Sequence, residues 1–237
     1  MLELREINGK VNLCIGGKKM DTLGSFLNQN VGVEISGSKI LNGKLLDVGS
    51  DIIVLFNGKD YLYVSFMHIQ HFWLNEDDVE VYEENGAKPF NTTTSVRSVL
   101  SNAKGLFVEI HVIGKQSVHG YITGVQSDYI IFYSPVFKTM YIPLHHLKWL
   151  IPYQSSKTPY ALENKMLPVN PSNISVARSF EVQLQKLIGK LVVFDLGLSE
   201  HRIGLLKKIE SKFIHLVSAR GEIILVNLQH VKSVHFD

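Results

Sequence analysis

Apolar residues in this sequence cluster in short runs that are separated by Gly, Ser, Asn and Asp. Typical runs are IIVLF from Ile52, YIIFYSPVF from Tyr129 and IILVNL from Ile223, which are rich in β-branched and aromatic residues. Runs of this kind, bounded by turn-forming residues, predict β-strands. Because they do not alternate cleanly between apolar and polar positions, the side chains on both faces of these strands should be buried. A small barrel has a single interior, so we expect these strands to pack on another part of the chain or on another chain.

One arrangement of landmarks occurs three times along the chain. In each copy a glycine precedes a serine by seven residues, and a histidine follows that serine after 18 or 19 residues. The landmarks are Gly43, Ser50 and His68 in the first copy, Gly120, Ser127 and His146 in the second, and Gly204, Ser211 and His230 in the third. Because two spacings are held through three copies, the pattern indicates an internal repeat.

Each copy also has the same predicted order of elements. A short apolar pattern at helical spacing comes first, around Leu23, Val96 and Val176, and in the third copy Ser175 is the candidate N-cap. A strand, a loop, the strand with the aligned glycine, a turn, an apolar strand and a final pair of short strands follow. Glycine inside a strand lowers its stability, so its recurrence indicates a sharp bend in a small curled sheet. The prediction is an all-β chain of three small barrels in tandem, each preceded by a short helix.

The segments between the copies differ in composition. Residues 73–98 contain an acidic run, and residues 151–174 hold four of the seven prolines, which excludes a continuous helix. The predicted division is therefore 1–72 for the first repeat with an N-terminal extension, 73–98 for an acidic linker, 99–150 for the second repeat, 151–174 for a Pro-containing linker and 175–237 for the third repeat with its leading helix. In the extension, the alternation of Val11, Leu13 and Ile15 is compatible with an added hairpin.

Composition narrows the class of protein. Cys14 is the single cysteine, which excludes an intramolecular disulfide and a four-cysteine zinc site. The formal charge of +2 does not call for nucleic acid or an anionic membrane as partner. No run of apolar residues is long enough to span a membrane, and the first residues lack the pattern of a signal peptide. We therefore expect a protein that is made in the cytoplasm and does not enter a membrane.

The order of elements resembles the Sm-like fold, which includes the bacterial host-factor RNA chaperone. In the first copy NGKLLDVGSDIIVLF resembles the first Sm motif, with Gly43 at its glycine and Asp51 near its acid. A closer similarity is to the repeats of spore coat protein B of endospore-forming bacilli, carried by GKLLDVGSDII with HIQHF, GYITGVQSDYI with HLKWL and GLLKKIESKFI with HVKSV. The Gly-Gly-Pro-Glu loop and the Ser/Lys-rich tail of the coat protein have no counterpart in this sequence.

This resemblance implies three tandem Sm-like or SH3-like barrels. It also implies a non-enzymatic structural or scaffolding protein of the spore coat or outer spore layers, made in the mother cell. Its partners would be itself and other coat proteins. Sm-like modules, by the same resemblance, pair the last strands of one copy with a neighbour, so we expect a homo-oligomer in the form of a ring, a filament or a sheet.

The aligned histidines are the sharpest polar signal. We interpret them as residues that fix a turn through a ring nitrogen bonded to the backbone, because three equivalent residues in tandem domains lie too far apart to share one metal. The other histidines have no metal spacing, and the adjacent His145 and His146 should point to opposite faces of a strand. We therefore expect neither a metal site nor a cofactor.

Paired carboxylates are the second candidate chemistry. The candidates are Asp47, Asp51 and Asp128. However, Asp47 and Asp51 of the first copy align with Lys208 and Lys212 of the third, and a general acid or base should not be exchanged for lysine. The sequence also lacks the nucleophile, phosphate-loop, dinucleotide and zinc-protease motifs. We therefore expect no catalytic residues.

Nucleic-acid binding is the alternative function. Residues 184–236 carry eight Lys or Arg against four acids. The candidate anion or nucleic-acid face consists of Lys207, Lys208, Lys212, Arg220 and Lys232. A solvated surface is the commoner origin of such charge, and the Lys-His pair of the host-factor chaperone is replaced at Phe66–Met67, Leu144–His145 and Leu228–Gln229. We therefore expect nucleic acid to bind weakly.

Overall fold

The computed structural model describes residues 6–7, 10–12, 23–75, 89–90, 95–114, 116–153, 159–161 and 174–236. β-Strands predominate in them, joined by 3₁₀ turns and two α-helices. The elements in chain order are β1 Glu6–Ile7, β2 Lys10–Asn12, β3 Asn30–Ile35, β4 Lys39–Val48, β5 Ile52–Phe56, β6 Tyr61–Ser65, β7 Ile69–Leu74, α1 Val96–Asn102, β8 Phe107–Ile113, β9 Gln116–Val125, β10 Tyr129–Ser134, β11 Lys138–Pro143, β12 Trp149–Pro152, α2 Phe180–Gln185, β13 Leu191–Phe194, β14 Ile203–Glu210, β15 Phe213–Val217, β16 Ile223–Asn227 and β17 Val234–Phe236.

The chain divides into two compact units. The first comprises Met1–Ala103 and Lys148–Pro152, and the second comprises Lys104–Leu147 and Tyr153–Asp237. The content is mostly β, as the sequence predicts, whereas tandem Sm-like barrels stay a prediction. In the described part of the chain, no helix is both long and apolar enough to cross a membrane.

In the first unit the strands form antiparallel pairs. The strands β3, β4, β5 and β6 pair in succession, and β7 pairs with β3. The N-terminal hairpin of β1 and β2 is present, and β2 lies against β7. Strand β12, from the end of the second repeat, pairs with β6. All five side chains of β5 are buried, as its uninterrupted apolar run predicts. The core is built from residues such as Val33, Leu45, Ile53 and Val64.

In the second unit β8, β9, β10 and β11 pair in succession. Strand β17 then joins β11 to β13, and β14, β15 and β16 follow. All of these pairs are antiparallel. Residues such as Tyr129, Phe194, Leu206, Leu216 and Val234 form the core beneath them.

The aligned glycines occupy equivalent places in their strands. A Cβ added to Gly43, Gly120 or Gly204 would come within 2.6 Å of a backbone carbonyl oxygen of the neighbouring strand. These oxygens belong to Phe56, Tyr133 and Val217, in that order. No side chain fits such a gap, so each glycine permits a close approach of two strands.

The helix of the third repeat begins later than its sequence pattern predicts. Ser175 is not its N-cap, because α2 begins at Phe180 and Ser179 occupies the cap position. The Phe180 amide donates instead to Asp128 Oδ1 at 2.8 Å. A capping partner so far away in sequence leaves no signal in local spacing. In α1, by contrast, Ser95 and Ser98 form a local capping box.

Candidate interaction surface

Two strand pairings join one repeat to the next. In the first unit Tyr63 of β6 lies opposite Leu150 of β12. In the second unit Tyr141 of β11 lies opposite Val234 of β17. Each tyrosine precedes its aligned histidine by five residues, and Leu150 and Val234 follow theirs by four. Thus the fourth strand of one repeat pairs with the final strand of the following repeat, in the same register both times.

A helix cap accompanies each of these pairings. Asp51 Oδ1 accepts from the Val96 amide at 2.7 Å, and Asp128 Oδ1 accepts from the Phe180 amide at 2.8 Å. Val96 and Phe180 are the first residues of α1 and α2. A carboxylate at a helix N-terminus stabilises the helix by hydrogen bonding and by its charge. Asp51 and Asp128 therefore hold the helix that precedes the next repeat.

The neighbours of Asp128 strengthen the same joint. The amide and the hydroxyl of Ser127 both donate to the Arg178 carbonyl oxygen. The Tyr129 hydroxyl donates to the Ala177 carbonyl oxygen at 2.7 Å, and burial raises the pKa of this phenol. The triplet Ser-Asp-Tyr therefore fixes the chain just before α2. Ser50, the counterpart of Ser127 in the first repeat, is exposed in the turn between β4 and β5.

The aligned histidines end three equivalent 3₁₀ turns. His68 Nδ1 lies 3.0 Å from Ser36 Oγ, and His146 Nε2 lies 3.0 Å from the Gln229 carbonyl oxygen. His230 is exposed. His145 and His146 do not point to opposite faces, because they lie on a turn and not on a strand; their ring centroids are 4.0 Å apart. Among the described residues, no group of three or more His, Cys, Asp or Glu could hold a metal ion.

The third repeat has different residues at the joint position. Lys212 stands where Asp51 and Asp128 stand, and its Nζ lies 2.8 Å from Glu181 of α2. Ser211 and Lys212 both have positive φ, at 49° and 68°, which makes a tight hairpin turn between β14 and β15. Phe213 follows and is 40% exposed, whereas its counterpart Tyr129 is fully buried.

Strand β16 is the open edge of the third repeat. Within the described residues, β15 is its single partner strand, whereas the equivalent strands β6 and β11 each have two. Leu225 is the counterpart of Tyr63 and Tyr141 and is 55% exposed, against 2% and 1% for the tyrosines. A groove of about 640 Å³ runs beside β16, and residues around His201 form its other wall.

An apolar row crosses the outer face of the third repeat and ends at this edge. Leu191, Leu205, Val217 and Ile223 are direct cross-strand neighbours on β13, β14, β15 and β16. Leu191, Leu205 and Ile223 are exposed. Together with β16, this row is called the open edge surface below.

Side chains of the linkers cover the corresponding faces of the other two repeats. The Phe90 ring lies 5.1 Å from the ring of Tyr63. In the second unit, Tyr153 packs edge-on against Phe107 at 4.9 Å. Apolar residues elsewhere are exposed too, such as Ile40 in the first repeat and Val136 in the second, but the exposed row that reaches an open strand edge lies on the third repeat in the described part of the chain.

The candidate nucleic-acid face is partly neutralised. Lys208 Nζ lies 2.5 Å from Glu210, and this contact lowers the pKa of the Glu210 carboxyl. Lys212 is paired with Glu181, as described above. Lys207 and Arg220 are exposed, whereas Lys232 is half-buried and its amide donates to Asp195.

Some residues that the sequence singles out lie outside the described part of the chain. These are Cys14, Leu13 and Ile15 of the extension, residues 76–88 with most of the acidic run, and Pro168 and Pro171 of the second linker.

Two signals could have found the joint from sequence. They are the recurring Ser-Asp before the apolar strand and its replacement by Ser-Lys in the third copy.

Comparison with known proteins gives a family. Residues 179–234, which include the open edge surface, match the family model of the YwrJ third domain. Over 229 residues, which are 91% of this chain and 99% of the relative, the chain is 42% identical to YwrJ of Bacillus subtilis (strain 168). Since the similarity extends over nearly the whole of both proteins, this chain belongs to the YwrJ family.

Proposed function

We propose that this protein is a non-enzymatic structural or scaffolding component of the spore coat or outer spore layers, which assembles through β-edge contacts. The observation that carries the proposal is the open edge surface. Among the described residues, two repeats have their fourth strand paired on both edges, and the third has one edge of that strand open with apolar side chains beside it.

Such an edge favours association. An unpaired strand presents a row of N–H and C=O groups that will pair with another strand unless it is blocked. The usual blocking features are proline and charge, and β16 contains neither, while Glu222 just precedes it. Exposed apolar patches on soluble domains commonly mark interaction sites. The strand and the row therefore offer a partner both hydrogen bonds and apolar contact.

The spore assignment rests on the resemblance to the coat-protein repeats, and the relative from a Bacillus is compatible with it. A fluorescent fusion expressed from the native promoter tests it in sporulating cells. We expect signal in the mother cell that collects on the surface of the developing spore. A signal that is spread uniformly through vegetative cells and does not change during sporulation would contradict the assignment.

The second candidate is an Sm-like nucleic-acid binding protein. The observation that favours it is the exposure of Lys207 and Arg220 in a repeat with a surplus of basic residues. Titration with single-stranded RNA at near-physiological salt separates the two functions. We expect no submicromolar affinity. A tight complex that weakens steeply with salt, and that Lys207→Glu with Arg220→Glu abolishes, would favour RNA binding instead.

A further inference from the structure

We propose that β16 is a homodimer edge, at which the β16 strands of two copies pair antiparallel about a two-fold axis through Leu225. This inference rests on the proposed function and names the partner at the open edge surface.

The backbone of β16 has the required direction. In β6 the Ser65 amide donates outward, to the carbonyl oxygen of Lys148 next to β12. The next amide, of Phe66, donates inward to the carbonyl oxygen of Asp51. Outward and inward groups alternate along a strand. In the third repeat the Leu228 amide donates inward to the Lys212 carbonyl oxygen. The outward-pointing amide and carbonyl groups of β16 are therefore those of Ile223, Leu225 and Asn227.

The residues at the joint position disfavour a further whole repeat at this edge. Each repeat that docks in this chain has the N-terminus of its helix capped by Asp51 or Asp128. Lys212 occupies that position in the third repeat, and a cation near a helix N-terminus is repelled by the helix dipole.

The opposite end of the repeat series is already closed. Strand β7 is the final strand of the first repeat, and a head-to-tail contact would need its edge. In β7, Phe72 is the counterpart of Leu150 and Val234, and it lies opposite Val11 of β2. Thus β2 occupies the place that β6 or β11 takes at a joint. Head-to-tail assembly would have to remove β2, whereas the edge of β16 opens onto the groove that the residues around His201 border.

The strand is complementary to itself. With the axis at Leu225, the two copies of Leu225 face each other, and Ile223 faces Asn227 of the second copy. The side chains of Ile223 and Leu225, exposed by 60% and 55%, then meet on one face. The two Glu222 carboxylates lie at opposite ends, about 20 Å apart at the rise of a β-strand, so no like charges oppose each other. An isologous contact of this kind closes at two copies.

Sedimentation velocity over a concentration series up to about 100 µM tests the inference, since a small interface dissociates on dilution. We expect a monomer–dimer equilibrium. Leu225→Lys places two charges against each other at the axis and should weaken the dimer at least about tenfold. Val136→Lys is the matched control, because Val136 is 60% exposed in the turn between β10 and β11 and lies outside the open edge surface, so it should leave the equilibrium unchanged.

Cross-linking tests the register. In a Cys14→Ser background, Leu225→Cys should give a covalent dimer on mild oxidation, because facing residues of a hydrogen-bonded pair lie about 5.5 Å apart at Cα, within disulfide range. Val136→Cys, similarly exposed but outside the open edge surface, should give none. Oligomers larger than two, or a dimer that Leu225→Lys leaves intact, would overturn the inference. A strictly monomeric protein would also overturn the inference. If that monomer still located to the spore surface, the proposed function would stand. A dimer cross-linked at Leu225 in a protein absent from spores would support the inference and refute the proposed function.

Discussion

The second and third repeats place different residues at the same turn. In the second, Asp128 caps α2 and Tyr129 is buried against the segment before it. In the third, Lys212 pairs with Glu181 on the surface and Phe213 is 40% exposed. The residue that follows the aligned serine thus distinguishes the two turns: it is Asp where the turn binds the helix of the next repeat, and Lys where it does not. Four predictions break or sharpen this comparison.

The largest effect is expected from Ile224→Pro. The Ile224 amide points inward to β15, by the same alternation that places Leu225 outward, so proline removes a bond of the β15–β16 ladder and is poorly accommodated there. We expect the free energy of unfolding to fall by about 3 kcal/mol, measured by denaturant unfolding followed by circular dichroism. Leu225→Pro removes only an outward amide and should cost less than about 1 kcal/mol in the monomer. Equal losses would show that the amide directions are assigned wrongly. Ile224→Pro is also a poor probe of assembly, because it damages the repeat itself.

The second prediction exchanges the residues at the joint. Asp128→Lys removes a charge-assisted hydrogen bond to the Phe180 amide and places a cation at a helix N-terminus. We expect a loss of about 2 kcal/mol in the free energy of unfolding.

The reverse exchange is the matched control. Lys212→Asp removes one exposed ion pair, with Glu181, and should change stability by no more than about 0.5 kcal/mol. If the two exchanges cost the same, the turn of the third repeat is also a joint.

The pattern of the sequence predicted the strands more accurately than the joint. Strands β8 and β13 have the bounds that their apolar runs indicate, because burial and β-propensity act locally. The local pattern places the start of α2 too early, because the carboxylate that binds its first amide, Asp128, is distant in sequence. Asp51 and Asp128 resembled candidate carboxylates, and their role as caps depends on which helix the fold brings to them. The apolar run of β16 predicted burial, yet Ile223 and Leu225 are exposed, since burial there requires a partner.

The third prediction concerns the hydroxyl of Tyr129. Tyr129→Phe keeps the ring in the core but removes the bonds to the Ala177 carbonyl oxygen and to Gln183 Oε1. Gln183 Oε1 keeps a donor, the Ala177 amide, so the cost should be about 1 kcal/mol in the free energy of unfolding. Phe213→Tyr, which gives the third repeat the residue of the second, should be neutral because its ring is partly exposed. A neutral Tyr129→Phe would show that the hydroxyl contributes nothing to the joint.

The smallest effect is expected in mild alkali. Burial raises the pKa of Tyr129, and of Tyr63 in the first unit, above the ordinary value of 10.0. As pH rises past 10 the unfolded chain releases these phenol protons while the folded chain keeps them. Ionisation therefore stabilises the unfolded state relative to the folded state. The stability that these phenols provide is therefore complete below pH 10 and declines progressively above it. Unfolding midpoints measured at pH 9 to 11 should fall in the wild type and fall less steeply in Tyr129→Phe. Phe213→Tyr adds a phenol on the surface, where ionisation is similar in both states, so its slope should match the wild type. A Tyr129→Phe slope equal to that of the wild type would show that this phenol ionises as readily in the folded joint as in the unfolded chain.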